Sequence, residues 1–192
     1  MDPFFSAQSY LTSGRFTPVE NVWFFEDRNQ LRGRLPGWYK QMESWTGNEN
    51  QAALLSSLLG ELANNAFDHN LGMWTGPPGC LVGLSIRSKT ICVSVADRGQ
   101  GIISSLRKQL PAGTSPDEVM RIAFEERVSG RAPEQRGNGL KFVRNGVDGR
   151  RQRLYCFSGN TVYGKGNLIF KINRKSLENS PGTLSVIEWD LS

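Results

Sequence analysis

A single histidine, His69, stands in 192 residues, and the three cysteines, Cys80, Cys92 and Cys156, form no C-x-x-C pair. Zinc sites are built from clustered cysteine and histidine ligands at short spacings, so this composition argues against one. An odd cysteine count in a chain of this length does not suit a disulfide framework either, and the thiols read as small core residues. No run approaches the roughly 20 apolar residues of a membrane helix. The opening residues MDPFFSAQSY have neither the basic start nor the apolar stretch of a signal peptide. A cytoplasmic protein with no membrane partner is expected, built as one compact domain with at most a short appendage. Internal repeats and low-complexity tracts are absent too. Acids are fewer than bases, giving a formal charge of +5. That balance suits nucleic acid, a membrane surface or a phosphate ligand, and selects none of them.

What is present begins with aromatics. Residues 1–49 hold many (Phe4, Phe5, Tyr10, Phe16, Trp23, Phe24, Phe25, Trp38, Tyr39, Trp45) with weak periodicity and one short helical candidate opening at Pro36. They read as an extension packed on the main body, and exposed aromatics would equally suit a docking or homodimer arm. From Asn50 to Leu71 the apolar residues Leu54, Leu55, Leu58, Leu59, Leu62 and Ala66 recur at three and four, with Gly72 as the stop, which predicts a long amphipathic helix. CLVGLSIR (80–87) and TICVSVAD (90–97) predict two antiparallel strands turned at Ser88-Lys89. A weak helix is expected near 103–109, and Ser115-Pro116-Asp117-Glu118 marks a capped helix start. The polar, glycine-rich segment VSGRAPEQRGNG predicts a mobile loop feeding a helix at GLKFVRNGV, and RLYCFSG, NLIFKIN and TLSVIEWDL predict three more strands. This order fits an α+β fold in which one sheet is covered on one face by helices.

Within ELANNAFDH, Glu61, Asn65 and His69 are spaced i, i+4, i+8 and form one row along the long helix. The row falls on or beside the apolar face of Leu54, Leu58 and Leu62, while Ser57, Gly60 and Asn64 mark the side expected to be exposed. Inward polar groups need partners or a polar cavity, so the row suggests a site. Taken singly, Glu61 also reads as a surface acid, Asn65 as a loop contact and His69 as a satisfied histidine near a helix end.

ELANNAFDH resembles the N-box of the histidine-kinase-like (gyrase, chaperone, histidine kinase, mismatch repair) ATPase superfamily, and its E-x-x-x-N-A-x-x-H form looks most like the anti-sigma-factor serine kinases. The resemblance implies that Asn65 ligates a Mg ion bridging nucleotide phosphates and that Glu61 orients or deprotonates the attacking water or hydroxyl; His69 matches the motif's last position, at the nucleotide site, without a role carried over. A neutral amide oxygen suits a hard cation that keeps several waters, and a carboxylate can accept a proton in an in-line attack. VADRGQGI resembles the first glycine box, which implies adenine recognition by Asp97 with Gly99, Gly101 and Ile102 around the ring. Alone it would read as a strand-to-turn signal. RGNGLKFV resembles the second glycine box and implies phosphate contacts from Arg136, Gly137, Asn138, Gly139 and Leu140, where glycine-rich turns and free N–H groups favour anions. Arg136 replaces a glycine usual in the family and reads equally as an exposed arginine. It is neither a Walker loop, lacking G-K-[ST], nor a Rossmann turn. PGTLSVIEWDL resembles the family's last strand, which implies Thr183 beside Asp97, although an ordinary strand threonine fits as well.

The resemblance covers residues 50–192 and implies a two-layer α/β sandwich of the Bergerat type, a mixed sheet with a lid at about 103–136 and Mg-ATP between the helix and the glycine turns. It implies an ATP- and ADP-binding regulatory ATPase or protein serine/threonine kinase acting on a separate partner, such as an anti-sigma-antagonist-like domain or a sigma factor. A nucleotide-dependent interaction module without catalysis is the competing reading, and the presence of Glu61 favours the enzyme. A conventional histidine kinase carries its phospho-acceptor on another helix, whereas the one histidine here lies inside the motif. Nucleic acid is disfavoured. The basic residues Arg144, Arg150, Arg151, Arg153, Lys165, Lys171, Arg174 and Lys175 read as a solvated face, without the aromatic signatures of RNA or DNA modules.

Overall fold

The computed structural model describes residues 3–68, 70, 72–126, 138–167 and 177–191. Among them the order is α1 (Pro3–Ser13), β1 (Val22–Phe25), α2 (Arg28–Thr46), α3 (Glu49–Asp68), β2 (Cys80–Arg87), β3 (Thr90–Asp97), α4 (Gly101–Arg107), α5 (Pro116–Glu125), α6 (Gly139–Asn145), β4 (Gln152–Ser158), β5 (Thr161–Lys165) and β6 (Thr183–Asp190). The strands form one open sheet in the order β1-β2-β3-β6-β4-β5. Every pairing among the described residues is antiparallel, so the mixed sheet expected from the resemblance is not seen there. None of the described helices is long and apolar enough to cross a membrane.

Both faces of the sheet are covered, not one. Strand residues alternate between two cores, as the two-residue period of a strand requires. Cys80, Val82, Leu84, Ile91, Val93, Val95, Leu154, Cys156, Ile187 and Trp189 join the larger core with α2, α3, α5 and α6. Leu81, Cys92, Ala96, Phe157, Leu184 and Val186 face the other way and meet Phe4, Ala7, Tyr10 and Leu11 of α1. Double burial explains why β3 is buried at every position and reads as a near-continuous apolar run.

The first fifty residues supply an edge strand and two helices. β1 pairs with β2 from Val22↔Gly83 to Phe25↔Cys80. The helix expected to open at Pro36 opens at Arg28 instead. Asp27 caps it, accepting from the N–H groups of Asn29 and Gln30, and Pro36 lies inside. Burial of Leu31, Trp38 and Met42 holds the turns on either side of that proline. β1 and β5 are strands that the sequence pattern does not mark, since runs of only four and five residues are too short to display a period.

α3 lies between the sheet and α2, which corrects its expected exposed side. Ser57 is exposed, but Gly60 is buried against Leu35 of α2. An Arg28–Asp68 ion pair ties the same two helices further along. Of the expected lid, residues 103–126 are ordered chain: α5 buries Val119, Met120 and Phe124, and Phe124 stacks on Tyr163 of β5 with ring centroids 4.3 Å apart. Residues 127–136 of that lid, and residues 168–173 of the expected strand NLIFKIN, lie outside the described residues.

Candidate functional site

Three strand ends and three helices meet at one edge of the larger core. Asp97 closes β3, Thr183 opens β6 directly opposite it, and Ser158 closes β4 opposite Thr183. All three project toward the helices, in the same alternation as Val95, Ile187 and Cys156. A cleft opens there, about 430 Å³ including its mouth. Leu62, Val95, Ile102 and Leu140 form its apolar walls, and Asn65, Asn70, Asp97, Ser105, Thr183 and Ser185 are its polar groups. An apolar slot with a few convergent polar groups is the usual form of a small-molecule site.

Six residues singled out from the sequence line this one cleft: Asn65, Asp97, Gly101, Ile102, Leu140 and Thr183. Glu61 and Gly139 stand just beside them. A Cβ added at Gly139 would lie 2.6 Å from Glu61 Oε2 and 3.7 Å from Asn65 Oδ1, so the second glycine turn is pressed against the polar row of α3. Asn65 Nδ2 is buried there without a hydrogen-bond partner among the described residues. Asn138 holds the position before α6, and its carbonyl accepts from Phe142 N–H. His69, Arg136 and Gly137 lie outside the described residues.

Asp97 is the ionisable centre of the cleft. Its side chain is 6% exposed, and burial pushes its carboxyl up to about 7, against the opposing pull of hydrogen bonds from Gly99 N–H and the Asn70 amide. Both donors reach the same oxygen: Gly99 N is 2.9 Å and Asn70 Nδ2 2.7 Å from Asp97 Oδ1. On the far side of the strand end, Arg98 donates to the carbonyls of Leu11 (2.5 Å) and Tyr10 (3.3 Å), which anchors the end of α1 behind the cleft.

Asn70 and Ser158 were not anticipated. Asn70 follows the motif by one residue, and its role is a side-chain bond spanning 27 positions, which local periodicity does not report. Ser158 Oγ accepts from Ile102 N–H at 3.0 Å and donates to Gly182 carbonyl at 3.4 Å, joining the start of α4 to the turn before β6. Two-residue alternation from Cys156 would have placed Ser158 on the helix-facing side. Gly182 itself has φ +83, and a Cβ there would fall 1.9 Å from the Asp97 carbonyl oxygen.

The basic face expected from the sequence is only partly a face. Arg153 is buried and paired with Glu188 and Asp190, and Lys165 Nζ donates to the carbonyls of Arg144 and Val147. Lys171, Arg174 and Lys175 lie outside the described residues.

Neither a protein-family model nor a curated protein matches the chain.

Proposed function

We propose that the cleft binds Mg-ATP and that the protein is a regulatory nucleotide-binding enzyme of the histidine-kinase-like ATPase class, an ATPase or a serine/threonine kinase acting on a separate protein. The observation that carries this reading is that one cleft joins Asp97 and Thr183, at the ends of the two central strands, to Asn65, with Glu61 and Gly139 beside that amide. An acceptor for a base edge and polar groups for phosphates therefore line one apolar slot. In the proposed pose the adenine amino group donates to Asp97, the ring packs between Val95, Ile102 and Leu140, and the phosphates reach Asn65.

The described residues hold no group of three or more histidine, cysteine, aspartate or glutamate side chains that could cage a metal. Mg bound chiefly by phosphates and waters needs only one or two protein oxygens, and the cleft-lining Asn65 amide, pressed by Gly139, fits that requirement. When bound, Mg would neutralise charge on the transferring phosphoryl group. Glu61, beside Gly139, would accept the proton of the attacking water or hydroxyl. An α+β fold with helices packed on one sheet is as far as the Bergerat reading is supported; the antiparallel pairings depart from its mixed sheet, and α1 on the second face departs from its two layers. The partner expected on this reading is an anti-sigma-antagonist-like domain or a sigma factor.

The test is incubation of the full chain with labelled Mg-ATP, with and without candidate partner proteins, scoring nucleotide retention, free phosphate and phosphoprotein. Wild type should retain nucleotide. Glu61→Ala should retain it with little change in Kd and lose at least a hundredfold in turnover, the usual scale for a general base. Turnover equal to wild type would remove Glu61 from the chemistry, and absence of retention by wild type would end the nucleotide reading.

A further inference from the structure

Asn70 is 3% exposed and its amide is fully used. Nδ2 donates to Ala66 carbonyl at 2.7 Å and to Asp97 Oδ1 at 2.7 Å, while Oδ1 accepts from Gln100 N–H at 3.0 Å. The orientation of this amide is therefore unambiguous, since reversing it would set an oxygen against Ala66 carbonyl and Asp97 Oδ1 and a donor against Gln100 N–H. One side chain thus ties the backbone of α3, the carboxylate closing β3 and the turn before α4.

Gly99 belongs to the same arrangement. A Cβ there would lie 1.8 Å from Asn70 Cγ, so the glycine clears space for the Asn70 amide. The resemblance had assigned that clearance to the approach of a ligand ring. Gly99 N–H then becomes the second donor to Asp97 Oδ1, at 2.9 Å. With two donors on Oδ1, the carboxylate cannot turn without breaking both bonds, and among the described residues no donor reaches Oδ2. Asp97 lines the cleft, so Oδ2 is the atom it offers to a ligand.

We propose that Asn70 is the positioning residue that sets which purine edge the cleft accepts: by saturating one oxygen of Asp97 it presents the other as a lone acceptor, which takes a ring amino group and refuses a ring keto oxygen. The inference rests on the nucleotide reading above and names its specificity. A site built to pair one polar group of a ligand discriminates strongly against an analogue that leaves the buried partner unmatched. Guanine and hypoxanthine carry an oxygen where adenine carries the amino group, so each would set two acceptors face to face.

The experiment, run at pH 8.5 where Asp97 is ionised, compares ADP and IDP binding to the full chain by calorimetry for wild type, Asn70→Leu, Asn70→Ala and Asp97→Asn, with a melting curve for each. Wild type should prefer ADP by at least about tenfold, the loss expected for one unmatched buried hydrogen bond. Asn70→Leu keeps nearly the volume of the side chain and removes its donors, so the ADP:IDP ratio should fall to within about threefold, as in Asn70→Ala. A ratio kept in Asn70→Leu but lost in Asn70→Ala would show that Asn70 only fills space, and would overturn the proposal. Equal weakening of both ligands with an unchanged ratio would overturn it as well. Asp97→Asn keeps an acceptor for Asn70 and Gly99 at Oδ1 and must present its Nδ2 to the cleft, so its preference should invert toward IDP. That inversion supports the proposal even where an Asn70 variant fails to melt cooperatively, and its absence opposes it. Wild type binding ADP and IDP equally would overturn the specificity while leaving the nucleotide reading standing; wild type binding neither would end both.

Discussion

Asp97 carries opposite pH dependences for folding and for binding. In the folded chain its carboxyl holds a proton up to about 7, against an ordinary value of 3.8, because burial disfavours the charge. Between those two values the folded state binds more protons than the unfolded chain, so this group's contribution to stability is complete below 3.8 and is lost as the pH rises through about 7. Binding an amino group at Oδ2 needs the ionised form, so nucleotide affinity should improve as the pH rises toward 7, by about tenfold per unit below it, and level off above. Calorimetric Kd values and chemical denaturation midpoints measured from pH 5.5 to 8.5 would check both slopes. Asp97→Asn should abolish each of them, and an ADP affinity independent of pH in wild type would remove Asp97 from the base contact. This residue was legible in the sequence as an aspartate between a strand and a glycine turn, and the order of motifs gave it a role. Its partner Asn70 was not legible, because that contact exists only once α3 and the end of β3 are packed together.

Glycines decide how the elements around the cleft approach one another. Gly139 lets α6 press on α3, and its substitution by alanine would drive a Cβ to 2.6 Å from Glu61 Oε2. The flexible carboxylate can yield, so Gly139→Ala should cost little stability, on the order of 1 kcal/mol, while displacing Glu61 and lowering turnover. Gly182→Ala is different in kind. Its φ of +83 and the approach of the added Cβ to 1.9 Å from a backbone oxygen leave nothing free to move. A loss of about 3 kcal/mol or more is expected from combined strain and overlap, seen as a lowered denaturation midpoint. Similar midpoints for the two variants would contradict this distinction. The long elements were readable: α3 spans Glu49–Asp68 where the apolar pattern placed a helix, and β2 and β3 match their expected bounds, with Ser88 and Lys89 both at positive φ in the turn. The start of α2 was misread because the rule favouring proline at a helix start outweighed the Asp27 cap, and burial on both faces hid the two-residue period in the sheet.

The sheet holds its two ends in different ways, and this separates stability from function. At the Asp97 end the polar groups surround a cleft, and at the other end Arg153 and Glu188 are buried in an ion pair with 7% and 0% side-chain exposure. Asp190 joins them through Arg153, and Thr90 donates to Asp190 at 2.7 Å. Along β6 the ends are Thr183 and Asp190, which at about 3.3 Å per residue puts them roughly 23 Å apart. Removing one partner of a buried pair leaves the other charged and unmatched, typically a loss of about 3–5 kcal/mol. Arg153→Met keeps much of the apolar stem while removing the buried guanidinium from Glu188 and Asp190, so it should lower the denaturation midpoint by that amount. Sites this far apart with no shared partner combine additively to within about 0.5 kcal/mol. The folded fraction of Arg153→Met should therefore bind ADP with the wild-type Kd, and Arg153→Met combined with Gly139→Ala should lose the sum of the two single losses. A Kd that weakens together with the midpoint, or a double variant far from that sum, would mean that the sheet transmits strain from its ionic end to the cleft.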